Sequence, residues 1–290
     1  MINPFCPLDL ESKKRYVART KYQNQCIFNN TISSLNLEEE KRLYPYYTDI
    51  IKKKLSKLKY KHKTKIKILD ICGGAGFLSY HIYKIFGNEN KYYLIDINKN
   101  EIHRAKLILD NKVKLQINDF FSYISKTKYD LIIGNSFLHH FPDVPFAMNR
   151  IYSLLNNQGY FINLHEPSEK AAFVESIGRD SILKYMMQIA RKLGIRKGIY
   201  GPVGSDLWIF NFYDLKNLLE KAKFKEVVIY RSGFFRTILE ILFKCSSRKN
   251  INEIIRILLN ISYKIDSIIL NNFKFPLFNS YFFIAKKRII

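Results

Sequence analysis

The run Ile68-Leu69-Asp70-Ile71-Cys72-Gly73-Gly74-Ala75-Gly76, apolar first and then glycine-rich, sets the tightest limit on what this chain can fold into. A short buried strand predicted over residues 66–71 enters a turn directly, and a helix-like stretch over 77–86 follows without a linker. Glycines at such a turn permit left-handed backbone angles and let another group approach the main chain with no Cβ between them. Strand, glycine turn, helix is the opening unit of an α/β sheet.

The alternation continues downstream. Strands are predicted at 92–97, 113–117, 129–133 and 160–164, with helices at about 101–109 and 144–155 and a turn at Asn156-Asn157-Gln158-Gly159. Strands divided by helices pair in parallel through crossovers, which places this part of the chain in the α/β class. A helix at 213–222, a strand at 227–230 and a late strand at 281–285 would complete the sheet. Between those last two strands Ile251, Ile254, Ile255, Leu258, Ile261, Ile265 and Ile268 recur at three- and four-residue steps, the pattern of an amphipathic helix.

The chain has 290 residues and a formal charge of +23, with a pI of about 9.7. That balance favours nucleic acid, an anionic membrane or an acidic substrate through long-range attraction. Lysine outnumbers arginine, however, and Ile, Asn, Tyr and Phe are abundant, so A/T-rich codon usage also accounts for it. Cys6, Cys26, Cys72 and Cys245 form no C-x-x-C pair and are too few to staple a chain of this length, which points to a reducing cytosol. No secretory signal and no apolar run long enough to span a bilayer is visible, so the expectation is a cytoplasmic protein with peripheral membrane contact left open.

Asp96 closes the second predicted strand twenty residues beyond Gly76. An acid there can accept both hydroxyls of a ribose, with Ile97 beside it. Asn118-Asp119-Phe120 follows the third strand, where Asp119 can accept from an adenine amino group and Phe120 can lie against the ring. Together with the glycine turn these residues describe a nucleoside site. The G-x-G-x-x-G spacing of dinucleotide enzymes is not met, because Phe77-Leu78-Ser79 follows Gly76.

On these residues the chain resembles the class I S-adenosylmethionine-dependent methyltransferases. Asp70 to Gly76 resembles that family's first motif, Asp96 its ribose-binding acid and Asn118-Asp119 its adenine-contacting motif. Asp130 to Ser136, with Asn135, resembles the fourth strand and the loop beside the methyl group. One departure stands in the first motif, where Cys72 replaces the usual first glycine. The resemblance implies a Rossmann-like sheet of seven strands, the last antiparallel, with S-adenosylmethionine held by Asp70, Cys72, Gly73, Gly74, Gly76, Asp96, Ile97, Asn118, Asp119, Phe120 and Asn135. The pattern along the chain divides it into a helical N-terminal cap (1–60), a Rossmann-like domain (61–233) with a helical insertion at about 168–204, a second helical insertion (234–275) and the final strand (276–290). No metal site is expected.

Two polar clusters fall at carboxyl ends of predicted strands, where open α/β sheets place their ligands. One is Leu138-His139-His140-Phe141-Pro142-Asp143 and the other His165-Glu166-Pro167. An attacking alcohol must lose a proton, which calls for a base such as His139 or His140 oriented by a carboxylate, with His165 or Glu166 as further candidates. The Leu-His-His-Phe-Pro-Asp run is similar to that of sugar and natural-product O-methyltransferases, which implies a small-molecule hydroxyl acceptor. A nucleic-acid acceptor suits the charge, yet Asn135 is followed by Ser136-Phe137-Leu138 and not by the Pro-Pro-aromatic arrangement of nucleobase amine methyltransferases. A binding protein that keeps the fold without catalysis is the remaining alternative.

Overall fold

The computed structural model describes residues 51–52, 65–141, 143–168, 210–233, 253–272 and 280–288. Within them the chain forms β1 (Lys67–Ile71), α1 (Phe77–Phe86), β2 (Lys91–Asp96), α2 (Lys99–Leu109), β3 (Lys114–Ile117), β4 (Tyr129–Asn135) and a short 3-10 turn (Leu138–His140). Then follow α3 (Val144–Leu154), β5 (Leu155–Pro167), α4 (Phe212–Lys221), β6 (Phe224–Ser232), α5 (Glu253–Asn272) and β7 (Ser280–Lys287). These elements lie within a few residues of the predicted ones. The N-terminal cap up to residue 50 and the insertion at 169–209 lie outside the described residues.

The strands form one seven-stranded sheet in the order β3-β2-β1-β4-β5-β7-β6. The pairs among β1 to β5 are parallel, whereas β7 runs antiparallel to both β5 and β6. This is the α/β Rossmann-like sheet with its last strand reversed. Period-two alternation builds a core on each face: Leu69, Ile71, Ile95, Ile132, Phe161 and Phe283 pack on one side, and Ile68, Leu94, Leu131, Ile133, Ile162 and Ile284 on the other.

The expected turn at Asn156 to Gly159 takes a different form. Helix α3 passes straight into β5, and these four residues bulge out of the pairing between Tyr129↔Leu155 and Leu131↔Tyr160. Gln158 adopts the left-handed conformation (φ 64) that makes the bulge.

The chain order reverses between β1 and β4, whose neighbours on either side are β2 and β5. Such a switch point leaves a crevice at the carboxyl ends of the strands, because the connections leave toward opposite faces. Asp70 and Asn135 stand at those two ends.

Candidate active site

The turn after β1 is held by its own backbone and by one distant carboxylate. Cys72 (φ 52), Gly74 (φ 52) and Gly76 (φ 81) are all left-handed. A Cβ on Gly73 would lie 2.7 Å from Leu94 Cγ and 2.9 Å from Asp70 Cγ, so only glycine fits between strand and loop. The position of the departure is therefore one that suits glycine, and cysteine occupies it at a strain of about 1–2 kcal/mol. Asp96 supplies the distant restraint: Gly74 N–H donates to its Oδ2 at 2.8 Å and Asn98 N–H to its Oδ1 at 2.8 Å. Burial raises the Asp96 carboxyl above the ordinary range against the lowering effect of those two bonds. The acid expected to meet the ribose thus also fastens the loop, which sequence spacing alone did not reveal.

Asp70 is 1% exposed. Its Oδ2 accepts from Ser79 Oγ at 2.7 Å, while Oδ1 is buried with no partner. Loss of hydration pushes the carboxyl from 3.8 up to about 7, with the Ser79 bond opposing. Cys72 is pushed up as well, first by burial and then by nearby carboxylates including Asp96 and Asp70, so its thiol stays protonated.

A cleft opens between these residues, lined by Asp70, Cys72, Gly73, Gly74 and Ala75 from the turn, Phe77 and Leu78 from α1, Glu101 and Arg104 from α2, and Asn135 and Leu164 from β4 and β5. Asn135 Oδ1, like Asp70 Oδ1, is buried without a partner. Buried polar atoms left unpaired beside a cleft mark where a polar ligand completes the bonding. Glu101 and Arg104 pair across one helical turn at 3.1 Å. Their lining role was missed in the sequence, where the only signal is opposite charges three apart on the helix after Asp96.

The adenine end differs in detail from expectation. Asn118 N–H donates to Asp96 O at 3.0 Å, which joins the ends of β3 and β2. Asp119 Oδ1 accepts from Phe121 N–H at 3.1 Å and so shapes the turn, with Oδ2 remaining for a ligand. Phe120 is 3% exposed and stacks on Phe141 at 5.2 Å. Ile97, by contrast, is 42% exposed at the end of β2, free to cover a flat ring.

The acceptor-side residues come together more closely than sequence could show. Glu166, fully buried at the end of β5, accepts five hydrogen bonds. Phe137 N, Leu138 N and Asn163 Nδ2 donate to Oε1 at 3.1, 3.0 and 2.6 Å, and His139 N and Nδ1 donate to Oε2 at 3.0 and 2.8 Å. Three backbone donors at the start of the 3-10 turn thus find one carboxylate. With five bonds accepted, Glu166 holds the turn in place. An ionised carboxylate only accepts, so His139 Nδ1 carries the proton and Nε2 is the ring's basic nitrogen. His140 lies edge-on to His139 with ring centroids 3.6 Å apart. His165 sits in a β5 bulge with φ 59. Among the described residues no cluster of metal-ligand side chains is present.

A cleft lined by the glycine turn stands at the switch point of this doubly wound sheet, where open α/β folds place their ligands, and the His139–Glu166 pair is buried outside its lining. Residues 62–197, just under half of the chain, match the model of a methyltransferase domain family. The fold is similar to that of the phosphoethanolamine N-methyltransferase 2 of Haemonchus contortus, solved with phosphomonomethylethanolamine and S-adenosylhomocysteine (TM-score 0.52, 16% identity, 94% of this chain and 59% of that one). It is also similar to the plantazolicin methyltransferase BpumL, solved with a desmethyl plantazolicin analogue and S-adenosylhomocysteine (0.53, 17%, 96% and 99%). A third likeness is to the CurJ carbon methyltransferase (0.51, 15%, 83% and 54%). This chain therefore spans 59% of the length of the Haemonchus enzyme. No curated protein sequence matches it. At such identities the likeness speaks for the fold, and the names of these proteins include both an N-methyltransferase and a carbon methyltransferase.

Proposed function

We propose that the protein methylates a hydroxyl of a small-molecule acceptor, with His139 as the base that takes the hydroxyl proton. The observation that carries this is the 2.8 Å bond from His139 Nδ1 to the buried Glu166 Oε2, which leaves Nε2 as the proton-accepting nitrogen. An amine that reacts unprotonated has less need of such a pair.

Bound S-adenosylmethionine supplies an electrophilic methyl group on a sulfonium. The chain's own residues do the holding: Asp96 with Ile97 at the ribose, Asp119 with Asn118 at the adenine, and the Cys72 to Gly76 turn at the main chain's closest approach. Asp70 Oδ1 and Asn135 Oδ1 are the buried acceptors that suit the cofactor's cationic amino-acid end. Displacement at carbon needs nucleophile and leaving group in line and shielded from water, which a crevice between β1 and β4 provides.

The test is turnover of the full chain with sugars, phenols, quinone precursors and RNA, followed by S-adenosylhomocysteine release. A hydroxyl acceptor should be methylated, and His139→Ala should lower its kcat about 10²- to 10⁴-fold while cofactor affinity holds. Methylation of RNA alone, or full turnover by His139→Ala, overturns the reading.

A further inference from the structure

Helix α5 packs on β6, the edge strand of the sheet. Ser262 and Asp266, one turn apart, are buried at 2% each, while Ile257, Leu258, Ile261, Ile265 and Ile268 stand 38% to 53% exposed. At about 100° per residue these five side chains share an arc of about 100°, with Lys264 at its border, and the stripe runs for about 16 Å. An exposed row of this length made of isoleucine and leucine is not what a solvated helix face presents.

We propose that this face lies on an anionic lipid surface, with α5 parallel to the bilayer plane. Charge selects the occupant. A second copy of the chain would bring another +23 against the first, whereas an anionic surface attracts it. From Lys244 to Lys274 the sequence carries six basic residues against the two acids Glu253 and Asp266; of the described side chains Lys264 is exposed and Asp266 is buried. An exposed lysine bordering an apolar stripe, in a stretch of chain whose charge is basic, suits an interfacial helix. Among the described residues no helix is long and apolar enough to cross a membrane, so α5 lies on the surface and does not span it.

Flotation of the full chain with vesicles of phosphatidylcholine alone, and of phosphatidylcholine mixed with phosphatidylglycerol, tests this. Binding should need the anionic lipid and weaken with added salt. The double variant Ile261→Gln, Ile265→Gln should bind about tenfold more weakly or worse, and Lys264→Glu about fivefold. All variants should keep the wild-type melting temperature and S-adenosylhomocysteine affinity, since the stripe is exposed and remote in sequence from the cleft. Failure to bind anionic vesicles, equal binding by the double variant, or a concentration-dependent dimer that the double variant abolishes would each overturn the assignment, the last giving the face to a second copy.

Discussion

Asp70 joins a structural position to a pH response. Its carboxyl is raised to about 7 because burial disfavours the charge. A folded-state pKa above the ordinary 3.8 means the folded chain keeps a proton that the unfolded chain has released, so this group's contribution to stability falls as pH climbs from about 4 to about 7 and levels off above. A cationic ligand group at Oδ1 has the opposite preference and favours the ionised form. Cofactor affinity should therefore rise with pH, by about tenfold between about pH 6 and about pH 8 for a group titrating near 7. Calorimetry with S-adenosylhomocysteine at both pH values measures it, and Asp70→Asn should flatten the slope; an unchanged slope in that variant would remove the cation-binding role. Cys72 adds a smaller lesson: the sequence marks it as a departure, and its φ of 52 shows the departure tolerated, not accommodated by a new loop geometry.

At the scale of the element, the 3-10 turn after β4 depends on a residue from β5. Glu166→Gln preserves size but puts an NH₂ group where a carboxylate oxygen was. With three donors crowding Oε1, the NH₂ must face His139, whose Nδ1 can then only accept, so the proton moves to Nε2 and the basic nitrogen is lost. The expected result is a fall in kcat of about 10²-fold or more with cofactor affinity kept, plus about 1–3 kcal/mol of lost stability from the unsatisfied His139 N–H. Near-wild-type kcat with an unchanged pH–rate profile would show that Glu166 only fastens the turn. The strand and helix order was legible because each element carries its own period, and the glycine turn and Asp96 because backbone geometry demands those residue types. The Glu166 network was not, since Phe137 to His139 and Glu166 lie 27 to 29 residues apart and meet only through the β4–β5 register. Nor could adjacency say which of Phe120 and Phe121 enters the core.

Over the whole molecule, the site and the core are one mechanical object. Residues that line the cleft sit at the ends of β1, β4 and β5, and those strands carry the apolar layers on both faces of the sheet. A ligand bound only by the folded form stabilises it by about 2.7 kcal/mol at a hundred times its dissociation constant. For a cooperative unit of this size that corresponds to a rise in melting temperature of about 5–10 °C. S-adenosylhomocysteine should produce such a rise in differential scanning calorimetry as the shift of a single transition. Asp96→Ala should lose most of it, because both the ribose acceptor and the restraint on Gly74 disappear together. Asp96→Asn, which keeps an acceptor for the Gly74 N–H, should retain an intermediate part. If instead the ligand moves only one of two transitions, the sheet's β5-β7-β6 side unfolds independently of the cleft. A ligand that moves none, in wild type and Asp96→Ala alike, would show that the crevice does not hold the nucleoside.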